Sequence, residues 1–318
     1  MCEKKKAPLG QGVLSMALAN FDSWLRSPRT ILMLLFIAAI CYLQMCGYEM
    51  KLNETGYTMH LGETLFYEFK FGCNMPMTTV LFLIMVSELP RRIAYQQYSL
   101  IRSSRCRWMA AQLLYCLMMV VAMIALIALF IALMALPLVT PGSGWSDAAR
   151  IASGEIEPYE ALISEFILNN YTPFTATLLA MIPVFCFWLT MVFVILMFGV
   201  WGSPVFGVLM YAFLMVANVT ILFEAFPFQL ILPIQYATLD NTLSGYDGKE
   251  IQQFLKVIGV YAALIVSLIA VMMISVKRVE LNFHAESKQL RSRKNDRNSK
   301  YHEDIWKADC PKECNGKT

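Results

Sequence analysis

The sequence predicts an all-α integral membrane protein with six transmembrane helices. Three observations predict it. The 318-residue chain is 58% apolar and 15% charged, whereas a soluble domain is nearer a quarter charged. Its charges leave long gaps: Pro173–Phe223 holds 51 residues without Asp, Glu, Lys, Arg or His, enough for two crossings of about 20 residues each. The apolar runs do not alternate with polar residues as the strands of a membrane barrel would. The backbone must therefore satisfy its own polar groups in helices.

The first element lies within residues 9–25. Leu14, Leu18, Phe21 and Leu25 recur at helical spacing, with Trp24 beside them and Asp22, Ser23 and Arg26 elsewhere on the helix. This pattern predicts an N-terminal amphipathic helix along the inner membrane surface, in a cytoplasmic segment covering residues 1–30. Pro28 separates it from the first span. MCEKKK is too far from that span to act as a cleavable signal, so the span is expected to remain as an anchor.

The membrane domain covers residues 31–276. Its first span is Ile31–Gly47, and its second, Asn74–Leu89, is short. The third block, Trp108–Val139, is long enough to tilt or project. The double block Pro173–Phe223 contains GVWGSPVFG at Gly199–Gly207, whose three glycines and Pro204 predict a hairpin between two spans. Val257–Val276 is the last span. Before it, the apolar stretch Ala225–Leu239 is broken by two prolines and is too short to cross, so it predicts a segment partly inserted at the outer rim. Residues 144–170 are acidic with Ile, Leu and Phe interleaved, and predict a short exposed helix. Residues 277–318 form a basic, flexible cytoplasmic tail.

Charge sets the orientation. Five basic residues precede the first span, five lie between Arg91 and Arg107, and 11 follow the last span. The loops 48–72, 140–172 and 224–256 hold the remaining five of the 26, together with 13 of the 23 acids. The positive-inside rule then places both termini in the cytoplasm and those three loops outside. Basic residues at a cytoplasmic membrane face set topology and touch anionic lipid, so nucleic acid is not expected as a partner.

The nine cysteines are scattered, and most read as small apolar fillers. Cys46 and Cys73 fall at the outer ends of the first two spans, at similar depth. They are either two free thiols or a disulfide closing the first outer loop. Cys310 and Cys314 have only His302 near them in sequence, which is too little for a metal site.

Enzyme chemistry in a membrane needs ionisable groups at depth. The predicted spans contain no acid except Glu88, and His60, His284 and His302 lie outside them. An intramembrane hydrolase is not expected, and a proton-driven carrier is disfavoured. The chain ends in NGKT, but Pro311 stands where a phosphate-binding loop needs its first glycine, so no nucleotide site is expected.

The remaining signal is SELPRRIAYQQYSLIRSSRCRWMAAQLLY, residues 87–115. Pro90 suits the first turn of a new helix covering about residues 90–105. At 100° per residue, Arg91, Tyr95, Tyr98, Arg102 and Arg105 cluster on one face, and Ile93, Leu100, Ile101 and Trp108 on another. A loop that only set topology would need no such sorting. The Tyr and Arg face suits either lipid headgroups or a protein partner.

The order of a surface helix, six spans, a polar helix between the second and third, and a broken apolar segment before the sixth resembles the permease subunits of ABC transporters of the type-two exporter family. In that family an acid near the end of the second span leads into a helix that contacts the ATPase. A basic segment and a long third span follow. Glu88 matches the acid, Arg91–Ser104 the helix, and Ser104–Tyr115 the basic re-entry. Pro90, Arg91 and Arg92 stand where many members carry a Gly-containing stretch.

The resemblance implies a coupling helix whose ATPase interface comprises Glu88, Arg91, Tyr95, Tyr98, Arg102 and Arg105. It implies a separate ATPase subunit that binds the ATP, a second permease copy or homologue, and no cofactor or catalytic site in this chain. It also implies a multi-pass location in a bacterial plasma membrane. With no charged pathway lining, the expected cargo is apolar or amphipathic: a peptide, lipid or drug. An ion-coupled carrier or channel working without ATP, and a non-transporting membrane scaffold or sensor, are the alternatives.

Overall fold

A computed structural model describes residues 9–55, 58–69, 74–90, 104–147, 149, 165–219 and 250–278. The described elements are α1 (Leu9–Leu25), α2 (Pro28–Thr55), β1 (Met59–His60), α3 (Leu61–Phe69), α4 (Asn74–Val86), α5 (Arg105–Ala135), β2 (Val139–Thr140), α6 (Glu165–Asn170), α7 (Pro173–Trp201), α8 (Pro204–Val219) and α9 (Glu250–Arg278). Four of these helices, α2, α5, α7 and α9, are long and apolar enough to cross a membrane. They correspond to the first, third, fourth and sixth expected spans. In the second and fifth places stand α4 and α8, apolar but shorter. Their 13 and 16 residues correspond to about 20 and 24 Å of helix. The architecture is compatible with a multi-pass membrane protein.

The burial pattern fits an apolar surrounding. Leu35, Leu43, Val121, Leu133, Phe206, Phe213, Val260 and Val266 are all exposed on the outer faces of the long helices and α8. Such a belt of large aliphatic and aromatic side chains suits hydrocarbon and would be costly against water.

The central column is α7. Two thirds of its spanning window (67%) is buried, against 17% for α9, which lies at the periphery. Thr172 caps α7 by accepting from the Thr175 N–H, and Pro173 occupies the first turn, where a missing N–H costs nothing. Trp188 is fully buried and donates from Nε1 to Thr79 Oγ1 at 3.0 Å, fixing α4 to α7. Its ring lies 5.0 Å from that of Phe82. On α5, Cys116, Met119, Met123, Ile127, Ile131 and Ala135 recur at three- or four-residue spacing as the buried stripe.

The expected hairpin is present. At the end of α7, Gly202 has φ +120°, a conformation that side chains other than glycine rarely adopt, and α8 begins at Pro204. The N–H groups of Gly202 and Ser203 close onto the carbonyls of Gly199 and Phe198. A Cβ on Gly207 would meet Ile195 Cα at 2.9 Å, so glycine permits the close return of α8 along α7.

The N-terminal helix is also present, but it packs through a different face from the leucine stripe. Ala17, Asn20 and Trp24 are buried, and α1 lies against α5. Leu14, Leu18 and Leu25 are exposed, about a quarter turn away around the helix. Phe21, half-buried, bridges the two faces with its ring 5.6 Å from that of Trp24. The stripe therefore points away from the bundle, as an interfacial helix requires.

Two features differ from the sequence expectation. The acidic stretch 144–170 is not simply exposed: Trp145, Ser146, Ala149 and Ile167 are buried. In addition, the expected outer loop 48–72 holds a helix, α3, that the sequence pattern did not announce. It folds back against α5 and α7, burying Phe66, Phe69 and both of its acids, Glu63 and Glu68. Most of the expected coupling helix (91–103), the segment Ala225–Leu239 and the tail lie outside the described residues.

Candidate functional site

The two ends of the bundle carry different polar constructions. At one end the N-terminus of α2 meets the C-terminus of α4. The Arg29 guanidinium spans both residues that follow α4: Nη1 lies 2.8 Å from Glu88 Oε1, and Nη2 donates to Ser87 Oγ at 2.8 Å. Ser87 in turn donates to the Ile84 carbonyl at 2.9 Å. Arg29 and Glu88 are 36% and 50% exposed, so their attraction is worth at most about 1 kcal/mol. The forked contact serves to position the chain rather than to stabilise it.

The next two residues form a corner. Leu89 is buried and Pro90 half-buried, and the corner presses on Gly199 near the end of α7. A side chain at Gly199 would overlap the Leu89 carbonyl oxygen and Pro90 Cδ. The segment 91–103 thus leaves from a point held by α2, α4 and α7 together. It re-enters at Ser104, whose carbonyl accepts from the Arg107 N–H at 2.9 Å and begins α5.

Of the expected interface residues, Glu88 sits in this clasp and Arg105 opens α5, half-buried. Arg91, Tyr95, Tyr98 and Arg102 lie outside the described residues. Arg29 was read from sequence only as a topogenic charge, and nothing in its spacing from Glu88, 59 residues away, reveals the pairing. Cys46 is a free, half-buried thiol, and its expected neighbour Cys73 lies outside the described residues.

At the opposite end, β1 and β2 pair in parallel, Met59 with Val139 and His60 with Thr140. They join the start of α3 to the chain leaving α5. Glu63, fully buried in the first turn of α3, accepts from the Ser146 N–H, from Ser146 Oγ at 2.8 Å and from the His60 N–H at 3.3 Å. His60 Nδ1 lies 2.6 Å from the Gly144 carbonyl. Trp145 Nε1 donates to the Tyr171 carbonyl at 2.7 Å, and its ring meets that of Phe66 edge-on at 5.5 Å.

This arrangement is a clasp, not a nucleophile. Ser146 donates to the carboxylate instead of to the imidazole, so the Ser–His contact that activates a hydroxyl is not formed. No group of three or more His, Cys, Asp or Glu able to hold a metal occurs among the described residues. Thr177 Oγ1 donates to the Gly62 carbonyl at 3.0 Å, tying α3 to the first turns of α7. A signal for this clasp was present in LGETLFYEF, whose apolar residues outnumber its polar ones.

No protein-family model matches the chain, and comparison with curated proteins and with solved structures gave no match.

Proposed function

We propose that the chain is the permease subunit of an ABC transporter of the type-two exporter class. It moves an apolar or amphipathic substrate with energy from a separate ATPase, and it pairs with a second copy or a homologue. The observation that carries this reading is the Arg29–Ser87–Glu88 clasp with the Leu89–Pro90 corner on Gly199. A helix that receives force from an ATPase must transmit it to several spans at once. The segment 91–103 departs from a corner touching α2, α4 and α7, the last being the central column. The apolar outer faces and the outward stripe of α1 support a place in the membrane, with the basic end in the cytoplasm.

Orientation is checked by labelling Ser143→Cys and Ser287→Cys in a background lacking other reactive thiols. An impermeant reagent applied to intact cells should label position 143 and spare 287, and labelling of 287 would reverse the topology. The function is tested by co-purification in mild detergent. An ATPase should accompany the wild-type chain. Changing Tyr98 and Arg102 together to Ala should leave insertion intact and weaken ATPase binding tenfold or more, on the order of what loss of two interface anchors costs. Full retention of the ATPase by the double variant, or no ATPase with the wild type, would defeat the reading.

One observation favours a second reading, an ion-coupled carrier. Glu68 is 2% exposed on α3, so an acid does lie buried against the spans.

A further inference from the structure

Glu68 takes no part in the His60–Glu63–Ser146 clasp. Its environment is set by other elements. The side chain of Gln44 on α2 hydrogen-bonds it, and the Cys41 thiol lies within electrostatic reach. Its second oxygen, Oε2, is buried with no hydrogen-bond partner, and no Lys, Arg or His among the described residues forms an ion pair with it. The surrounding elements carry other ionisable side chains. On α2, besides Cys41, they are Tyr42, Cys46, Tyr48, Glu49 and Lys51, with Arg29 and Glu54 near its two ends. On α3 itself they are Glu63 and Tyr67, and β1 contributes His60. Described α4 has none, and α7 has only Cys186. On α5 they are Tyr115 and Cys116, with Arg105, Cys106 and Arg107 at its far, basic end. Among the described residues no ion pair neutralises Glu68.

A buried carboxylate with an unsatisfied oxygen and no counter-charge is an expensive state. One proton changes both terms. Addition to Oε2 removes the charge, breaks no bond and turns an orphaned acceptor into a donor. A primary amide is a suitable neighbour for that product, because it carries a donor and an acceptor side by side. Gln44 can give an N–H to one carboxyl oxygen and take the new O–H on its own carbonyl, holding the acid in a two-point ring.

We propose that Glu68 is a proton-binding site and that its protonation locks α3 onto α2. The buried environment agrees with this, since desolvation pushes the carboxyl up to about 7 even though the Gln44 bond acts in the opposite direction. When the proton leaves, the charge has to reach water, and the shortest route is for α3 to lift from the bundle. The short helix at this end of α7 is therefore docked by acid and released as pH rises past neutrality. The inference rests on the chain alone and stands or falls without the permease reading.

The sign of the linkage follows from the raised value. An unfolded Glu releases its proton near pH 4.3, whereas the folded chain keeps it to about pH 7, so the folded state binds more protons between those limits. Stability should fall as pH rises through that window and level off above it. The experiment is thermal unfolding of the purified full chain in detergent from about pH 5 to about pH 8, with infrared difference spectra of the carboxyl C=O band.

The wild type should lose about 5 °C in Tm across the range relative to Glu68→Gln, which mimics the protonated side chain. The protonated-carboxyl band should disappear over the same range and be absent in Glu68→Gln. In Gln44→Leu its midpoint should move, because the amide that bonds the carboxyl in both of its forms is gone. Parallel Tm curves for wild type and Glu68→Gln would overturn the proposal. So would a band unmoved by Gln44→Leu, or stabilisation by sodium at constant pH in place of the proton dependence.

Discussion

Gly199→Val should be among the most disruptive single substitutions in the described bundle. A Cβ at this position would sit 2.9 Å from the carbonyl carbon of Leu89 and closer still to that carbonyl's oxygen and to Pro90 Cδ. The obstacles are backbone and a proline ring, so no rotamer change relieves the overlap. Either α7 or the corner has to shift, at a cost of about 3 kcal/mol or more. Because Glu88 and Ser87 adjoin the corner, the shift should also open the Arg29 clasp. Gly199→Ala tests the same contact with the smallest possible side chain. Gly259→Ala in α9 is the control, since nothing lies within 4 Å of a Cβ there and the change should be neutral or mildly stabilising in a helix. Equal Tm values for the two alanine variants would show that the corner yields freely. The contact could then carry no force between the segment 91–103 and α7.

What the sequence disclosed depended on whether local pattern or distant partners decided the outcome. The charge-free run Pro173–Phe223 and its glycine cluster announced α7, the turn at Gly202 and α8, because hydrophobicity and turn chemistry are local. The existence of α1 was legible in its leucine spacing. The face it packs was not, because Ala17, Asn20 and Trp24 are selected by α5, some ninety residues away. The reach of α4 was overestimated: its helix stops at Val86, and Leu89–Pro90 belongs to a corner instead of a span. The largest miss was α3. A carboxylate that accepts three hydrogen bonds from protein and one that is solvated are written with the same letter. The donors that separate them in Glu63, Ser146 and His60 come from a strand of two residues and a loop 83 residues distant. The predicted spans themselves hold no acid except Glu88, and the two buried acids lie on the helix between the first two of them.

The clasp around Glu63 gives the second large effect. Glu63→Ala removes the acceptor for the Ser146 N–H, the Ser146 hydroxyl and the His60 N–H in one step. Ser146 is itself buried, so its amide has no ready access to water. An orphaned buried donor and the loss of charge-assisted bonds together cost about 3 kcal/mol. Glu63→Gln keeps the volume and one acceptor oxygen but turns an NH2 toward a donor, so roughly half that loss is expected. The damage should stay local. Trp145 keeps its bond to the Tyr171 carbonyl and its edge contact with Phe66, and Thr177 still holds the Gly62 carbonyl. The alanine variant should therefore remain inserted and helical, with a Tm several degrees lower and new protease cleavage close to Ser146. A Glu63→Ala chain that kept wild-type Tm and resisted protease there would mean that β1 and β2 hold this end by themselves. Two residue pairs of parallel ladder are a weak basis for that, since even an isolated hairpin is marginal in water.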